Sequence, residues 1–333
     1  MTTTSSPVSP ASPASPAAPA SPAAPARARW LAARLLATAE RPAWQERPRA
    51  STQGAKSGGI TVILLLILLP LYMIVVTSLS TQASINQAGG MVIWPHGLSL
   101  GAYRDVVSGG VVGRALLISL GITAVGTAFS MVVTILAAYG MSRAGSFGHR
   151  TVLWIMMVTM FFNGGIIPLF LVVSALGGYD QYWALIAPSA VSVFNIIVMR
   201  AFFANTAQDL IESARIDGAS DWRILWRIVL PTSKAVTAVI ALFYAVGYWN
   251  SWFNIMLFMP SDSSKWPLQM VLYDYLTQNS EMVNSAASGF QNAAPTLALQ
   301  MAVVTITIVP VLLAYPLVQK HFTKGVLLGA IKG

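Results

Sequence analysis

"ESARIDGASDWRILWRIVLP", residues 212–231, packs one Glu, two Asp and three Arg into a short stretch flanked by sequence with almost no charge. A connector this polar either solvates itself or faces a partner, and its surroundings decide which. The whole chain has 333 residues, of which 55% are hydrophobic and only 9% charged. Its mean hydropathy is +0.65. Soluble domains carry about 25% charged residues, so too few charges are present to cover a water-exposed surface. A chain embedded in lipid needs far fewer.

The formal charge of +9 does not point to nucleic acid. Phosphate-binding residues cluster with aromatics on one soluble face, whereas these cations fall in short segments between apolar runs. Cysteine is absent, which removes disulfides, thiolate metal sites and cysteine nucleophiles. His96, His149 and His321 are too far apart for metal-ligand spacing, so no metal site is expected.

Residues 1–26 are almost entirely Ala, Pro, Ser and Thr, and the following thirty are basic. Such composition cannot bury enough apolar surface to offset its ordering entropy, so residues 1–57 are expected to form a disordered tail. A secretory signal would begin its apolar core close to the N-terminus; here the first apolar run starts near Ile60 and reads as a retained span.

Six apolar segments follow, at about 60–78, 115–140, 152–175, 182–203, 235–258 and 296–318. Each can cross a hydrocarbon core of ~30 Å, which takes about 20 helical residues. The third contains "NGGIIP", which should bend or break its helix; lipid tolerates that where neighbours satisfy the freed backbone groups. The expected fold is an all-α integral membrane protein with six transmembrane helices. With Arg200 counted in the loop that follows it, one set of alternate loops and both tails carry seventeen Lys and Arg against two in the others, and Arg114 starts the second span. The positive-inside rule then makes both termini, and residues 205–231, cytoplasmic.

Within that loop, Leu210, Ile211 and Ala214 fall on one helical face, Gly218 permits a sharp turn, and Ser220 with Asp221 can start a second helix. Two short helices lying across the cytoplasmic membrane face are expected. An amphipathic helix in the headgroups, anchored by Trp222 and Trp226, is the plainer alternative. The order Glu212, Ser213, Ala214, then Asp217, Gly218, Ala219, then Ile228, Leu230, Pro231 resembles the EAA motif of ABC-importer permease subunits. That motif reads E-A-A, three residues, G, nine residues, I-x-L-P; Ser213 replaces one Ala with another small residue. The resemblance implies that Glu212 and Asp217 contact a separate ATPase subunit, that Gly218 makes the turn, and that Ile228, Leu230 and Pro231 hold the loop to its own membrane domain.

No G-x-x-x-x-G-K-[ST] phosphate loop occurs in the chain. The chain is therefore expected to be no enzyme and to bind no cofactor itself, with ATP and Mg on the partner. "NGGIIPLFLVVSALGGYDQYWALIAP" (163–188), "GFQNAAPTLALQMA" (289–302) and "QKHFTKGVLLGAIKG" (319–333) look like one branch of the carbohydrate permeases, the LplC and YtcP type. From about Gly58 onward, the resemblance implies a six-helix domain in the cytoplasmic membrane. Its implied partners are a homologous second permease, two ATP-binding subunits, and a solute-binding protein that delivers a carbohydrate.

"YAVGYWNSWFNIMLF" (244–258) mixes aromatic residues with Asn and Ser inside the fifth segment. Uncharged hydrogen-bonding groups beside aromatic faces suit a polyhydroxylated ligand, so Tyr248, Trp249, Asn250 and Asn254 are candidate pathway residues. Aromatics at a membrane interface and Asn joining helices explain the same pattern. Gln291 and Asn292, near the outer end of the last segment, are further candidates. Two other functions compete. An ion-coupled transporter usually carries ionisable residues in its spans, and none lies in the six cores, Arg200 falling in the last turn of the fourth. An intramembrane enzyme needs a nucleophile with a base, paired acids or a metal cluster, and none converges.

Overall fold

The computed structural model describes residues 50–143, 145, 148–162, 164–205, 208–277 and 296–330. The described elements are helical, apart from an isolated bridge between Ser80 and Leu98. Residue contacts divide the chain at Leu65/Leu66, within helix α1 (Ala50–Ser78). Residues 1–49 of the expected tail lie outside the described residues; 50–57 are the first two turns of α1, continuous with its apolar stretch.

Two short helices, α2 (Gln82–Ala88) and α3 (Gly101–Ser108), lead to α4 (Val111–Ser142). At 1.5 Å per residue the 32 residues of α4 extend ~48 Å, longer than a hydrocarbon core. Its buried face recurs every three or four positions and is rich in small residues: Ala115, Ser119, Gly126, Ser130, Thr134 and Ala138. Small residues let helices approach closely where lipid supplies no hydrophobic drive. The face receives α8 (Val193–Asn205), α11 (Lys234–Trp249) and α13 (Leu268–Thr277).

Polar pins join these helices. The Ser130 and Tyr248 hydroxyls are 2.8 Å apart, and those of Thr134 and Tyr244 are 2.7 Å apart. The first backbone N–H of α13, at Leu268, donates to Ser119 Oγ at 2.8 Å. Each bond satisfies a group that would otherwise be buried unpaired. Around them lie two apolar clusters, one centred on Ile196, Ile224, Leu225, Ile240 and Phe258, the other on Val92, Ala115, Leu268 and Val303.

Three straight helices among the described residues are long and apolar enough to cross a membrane: Ser51–Ser78, Val111–Ser142 and Leu297–Ala314, the last part of α14 (Thr296–Ala330). Two bent pairs reach that length and apolarity only when their two helices are taken together, α5 (His149–Phe161) with α6 (Ile166–Ala175), and α10 (Asp221–Thr232) with α11 at 86°. The expected break in the third segment is thus present. The fourth segment corrects the reading from hydropathy. It is not one helix but α7 (Trp183–Ile186), a turn around Pro188, and then α8. Proline offers no N–H to the preceding turn, and Ser192 starts α8 by accepting from the Asn195 N–H at 3.4 Å.

The fifth segment also breaks, between α11 and α12 (Trp252–Phe258). The Asn250 amide nitrogen donates to the Val246 carbonyl at 3.0 Å, beside the Asn250 backbone N–H at 3.1 Å. A side chain that bonds to its own helix competes with continued winding. Away from the seams, Leu66, Leu117, Val125 and Val132 are more than half exposed. Apolar surface on that scale marks contact with lipid or another protein.

Candidate functional site

Helix α9 (Gln208–Ile216) ends in a two-bond cap that accounts for the spacing of the polar loop. The Gly218 N–H donates to the Arg215 carbonyl at 3.0 Å, and the Ala219 N–H to the Ala214 carbonyl at 2.9 Å. This is the Schellman pattern, in which the residue after the helix adopts a left-handed conformation and its successor packs back on the last turn. Gly218 has φ +75°, where a side chain would be strained. Ala214 and Ala219 are half-buried against the core beside Ile211.

With those three residues turned inward, Glu212, Ser213, Ile216, Asp217 and Gly218 are turned outward. Ile216 is 88% exposed, a large apolar side chain at the tip of a polar turn. Leu210, expected on the packed face, is 56% exposed instead. Among the described residues of the helix, Ile211 and Ala214 pack against the core.

Ser220 stands at the start of α10 in extended conformation, without a side-chain capping bond. Ile224, Leu225 and Val229 are buried, with a π-helical turn over Leu225–Val229. Trp222 and Trp226 are both 61% exposed. Ile228 and Leu230 are half-buried, and Pro231 lies in the last turn of α10, just before the bend into α11. Behind the loop lies a recess of about 670 Å³, lined by Tyr139, Arg143, Glu212, Arg215 and Asp221 among others. Arg143 pairs with Asp221 there, a contact that links segments 78 positions apart and that local sequence patterns do not reveal.

The pathway candidates separate. A pocket of about 250 Å³ is lined by Ser189, Ser192, Asn195, Tyr244, Tyr248, Ser251 and Asn254, with Phe243 and Gly247. Every polar group in it is neutral. Tyr248 also donates to the Ile186 carbonyl at 3.1 Å, and Ser251 Oγ is buried with no hydrogen-bond partner among the described residues. Trp249 instead joins the second apolar cluster, and Asn250 is exposed outside the pocket. Gln291 and Asn292 lie outside the described residues. Ser189, Ser192 and Asn195 escaped the sequence reading, although the Ser and Asn clustered after Pro188 were a visible signal. Among the described residues, no group of His, Asp or Glu is arranged to hold a metal.

Comparisons with known proteins bear on the family and the fold. Residues 130–327 match the family model described as "Binding-protein-dependent transport system inner membrane component". The polygalacturonan/rhamnogalacturonan transport system permease protein YtcP of Bacillus subtilis is 41% identical over 277 residues, covering 83% of this chain and 96% of that protein. Protein LplC of the same organism is 42% identical, covering 83% of this chain and 92% of its own length. A crystal structure of a bacterial ABC transporter involved in importing the acidic polysaccharide alginate contains a chain that superposes with a TM-score of 0.77. That chain is 29% identical, and the match covers 84% of this chain and 99% of that one. These likenesses favour the permease reading over the ion-coupled alternative. The chain belongs to the binding-protein-dependent transport system inner membrane components.

Proposed function

We propose that this permease, with a homologous second permease, forms the pathway of an ATP-driven carbohydrate importer in the cytoplasmic membrane. Six spans place both termini inside in this reading, with the broken fourth segment counted as one crossing. The carrying observation is the capped helix α9, which turns Glu212, Ile216 and Asp217 outward while Ile211, Ala214 and Ala219 grip the core. A helix held by one face and bare at its tip suits insertion into a groove on another chain.

Two ATP-binding subunits, carrying ATP and Mg, would hold that tip through Glu212 and Asp217. Their closure on ATP would shift the loop, and α10 would pass the movement into α11. The cavity between the permeases would then face outward to receive sugar from a docked binding protein, and hydrolysis would reset it inward. An oligosaccharide or complex sugar is the proposed substrate class, supported by relatives named for polygalacturonan, rhamnogalacturonan and alginate. The neutral hydroxyl and amide lining around Tyr248, Ser251 and Asn254 supports hydroxyl recognition along the pathway. Gln291 and Asn292 remain proposed pathway residues, whereas Trp249 is buried in the second apolar cluster and Asn250 lies outside the pocket.

The test is reconstitution of the purified complex in vesicles with its binding protein and a panel of labelled neutral and uronate oligosaccharides. ATP-dependent accumulation of one of them supports the reading. Accumulation driven by an ion gradient without ATP contradicts it.

A further inference from the structure

The last turn of α4 is fastened to the first turn of α10 by three interactions. Arg143 donates through Nη1 to the Asp221 carboxylate. The Tyr139 hydroxyl, one turn earlier, donates to the Asp221 carbonyl at 3.0 Å. The Arg143 guanidinium also lies over the Tyr139 ring, 4.4 Å from its centre, where a cation is attracted to the π face.

The pair is lopsided: 67% of the Asp221 side chain is open to solvent, so the Arg143 end decides how firmly it holds. Only 21% of the Arg143 side chain is exposed, and Nη2 is buried with no hydrogen-bond partner among the described residues. Parting the two would leave the largely covered guanidinium without its carboxylate, a cost borne at the Arg143 end because Asp221 stays solvated. Asp221 also opens α10, where a carboxylate is favoured by the helix dipole. On the other flank of the same end, Arg200 Nε donates to the Met141 carbonyl at 2.8 Å and ties in α8. From this end α4 runs up to its pins on Tyr244 and Tyr248 and, further along, on Leu268.

We propose that Arg143 is a positioning residue that makes α4 and α10 move as one body, so that displacement of the coupling loop reaches α4 directly as well as through the chain into α11. The proposal rests on the importer reading, since it needs a loop that an ATPase moves. Without the Arg143–Asp221 pair the loop would still dock, but its movement would no longer be shared with α4.

The natural absence of cysteine allows two spin labels to be placed cleanly. Leu117→Cys on α4 and Arg223→Cys on α10 are both exposed positions, Leu117 lying ~39 Å along the helix axis from Arg143. Their distance is measured in the full complex with its ATPases, nucleotide-free and with AMP-PNP. With Arg143 intact, the distance is expected to be the same in both states. In Arg143→Ala it should change by about 2 Å or more, the scale of helix shifts in switching proteins, with the ATPase still bound. Arg143→Asp combined with Asp221→Arg should restore the invariant distance, as should Arg143→Lys in part.

A distance that changes with Arg143 intact, or stays fixed in Arg143→Ala, overturns the proposal. Loss of the ATPase from the Arg143→Ala complex also overturns it, in favour of a docking role. If that variant does not assemble, the reversed pair decides: an assembled complex whose distance still changes overturns the proposal. Failure of the cysteine-labelled parent, and of the unlabelled chain, to hold any ATPase would overturn the importer reading itself, and the proposal with it.

Discussion

Gly126 of α4 lies flat against the ring of Tyr248 on α11: a Cβ at position 126 would come within 2.8 Å of Tyr248 Cζ. The ring cannot easily withdraw, because its hydroxyl is held between Ser130 at 2.8 Å and the Ile186 carbonyl at 3.1 Å. Glycine here is a matter of contact, not of helix propensity. Gly126→Ala is therefore expected to destabilise the permease by about 1–3 kcal/mol, as overpacking does. Gly121→Ala, on an exposed face of the same helix with nothing within 4 Å, is the control and should be neutral or stabilising by up to about 1 kcal/mol, the helix-propensity gain. Thermal unfolding in detergent measures both, and equal stabilities would contradict the close-contact account.

At Gly218 the constraint is backbone angle. A φ of +75° is closed to proline, which is fixed near −65°, and the Gly218 N–H is one of the two capping donors. Gly218→Pro should abolish uptake while membrane insertion persists. Gly218→Ala should keep part of the activity, since a left-handed alanine costs about 1–2 kcal/mol. Wild-type uptake by the proline variant would contradict the coupling role of the turn.

Asn254 faces the neutral pocket, whereas Asn250 bonds to its own helix outside it. Loss of one neutral hydrogen bond to substrate amounts to about 2- to 10-fold in affinity. Asn254→Ala should raise the apparent KM for uptake by that factor, with kcat and ATPase docking retained. Asn250→Ala should act more on the angle between α11 and α12, and so on maximal rate. Unchanged uptake kinetics for Asn254→Ala across substrates would remove the pocket from the pathway.

The turn over Ser263–Lys265 predicts a pH response. Hydrogen bonds from the Ser264 hydroxyl and then its backbone N–H hold Asp262 below its usual range, with Lys265 adding attraction. A carboxylate depressed in the folded state contributes fully above the unfolded value of about 3.9 and loses that contribution as pH falls through the folded value. Amide protection in residues 261–266, taken relative to intrinsic exchange at each pH, should thus be constant between pH 5 and 8 and should fall below pH 4. Asp262→Asn should exchange faster at neutral pH and show no further acid step.

The polar loop was legible in the sequence because its logic is local. The separation of Ala214, Gly218 and Ala219 is the separation of a helix end, its left-handed residue and the packing residue beyond it. Long apolar runs likewise revealed α1 and α4. Hydropathy could not reveal that 182–203 and 235–258 are each interrupted, since neither a short turn at Pro188 nor an Asn250 bonded to Val246 lowers the mean much. Nor could it pair Tyr248 with Ser130, 118 positions away, or Arg143 with Asp221. Those contacts follow from how the helices meet, and only the packed fold supplies them.

The central claim is that the loop at 205–231 grips an ATPase on another chain. The most direct measurement is isolation of the tagged permease from its native membrane in mild detergent, with every accompanying chain identified. The account predicts a second permease and a phosphate-loop ATPase, with the ATPase lost when Glu212 and Gly218 are altered together and the second permease retained. An intact, folded permease that comes out alone, or keeps its ATPase when both residues are changed, would contradict it.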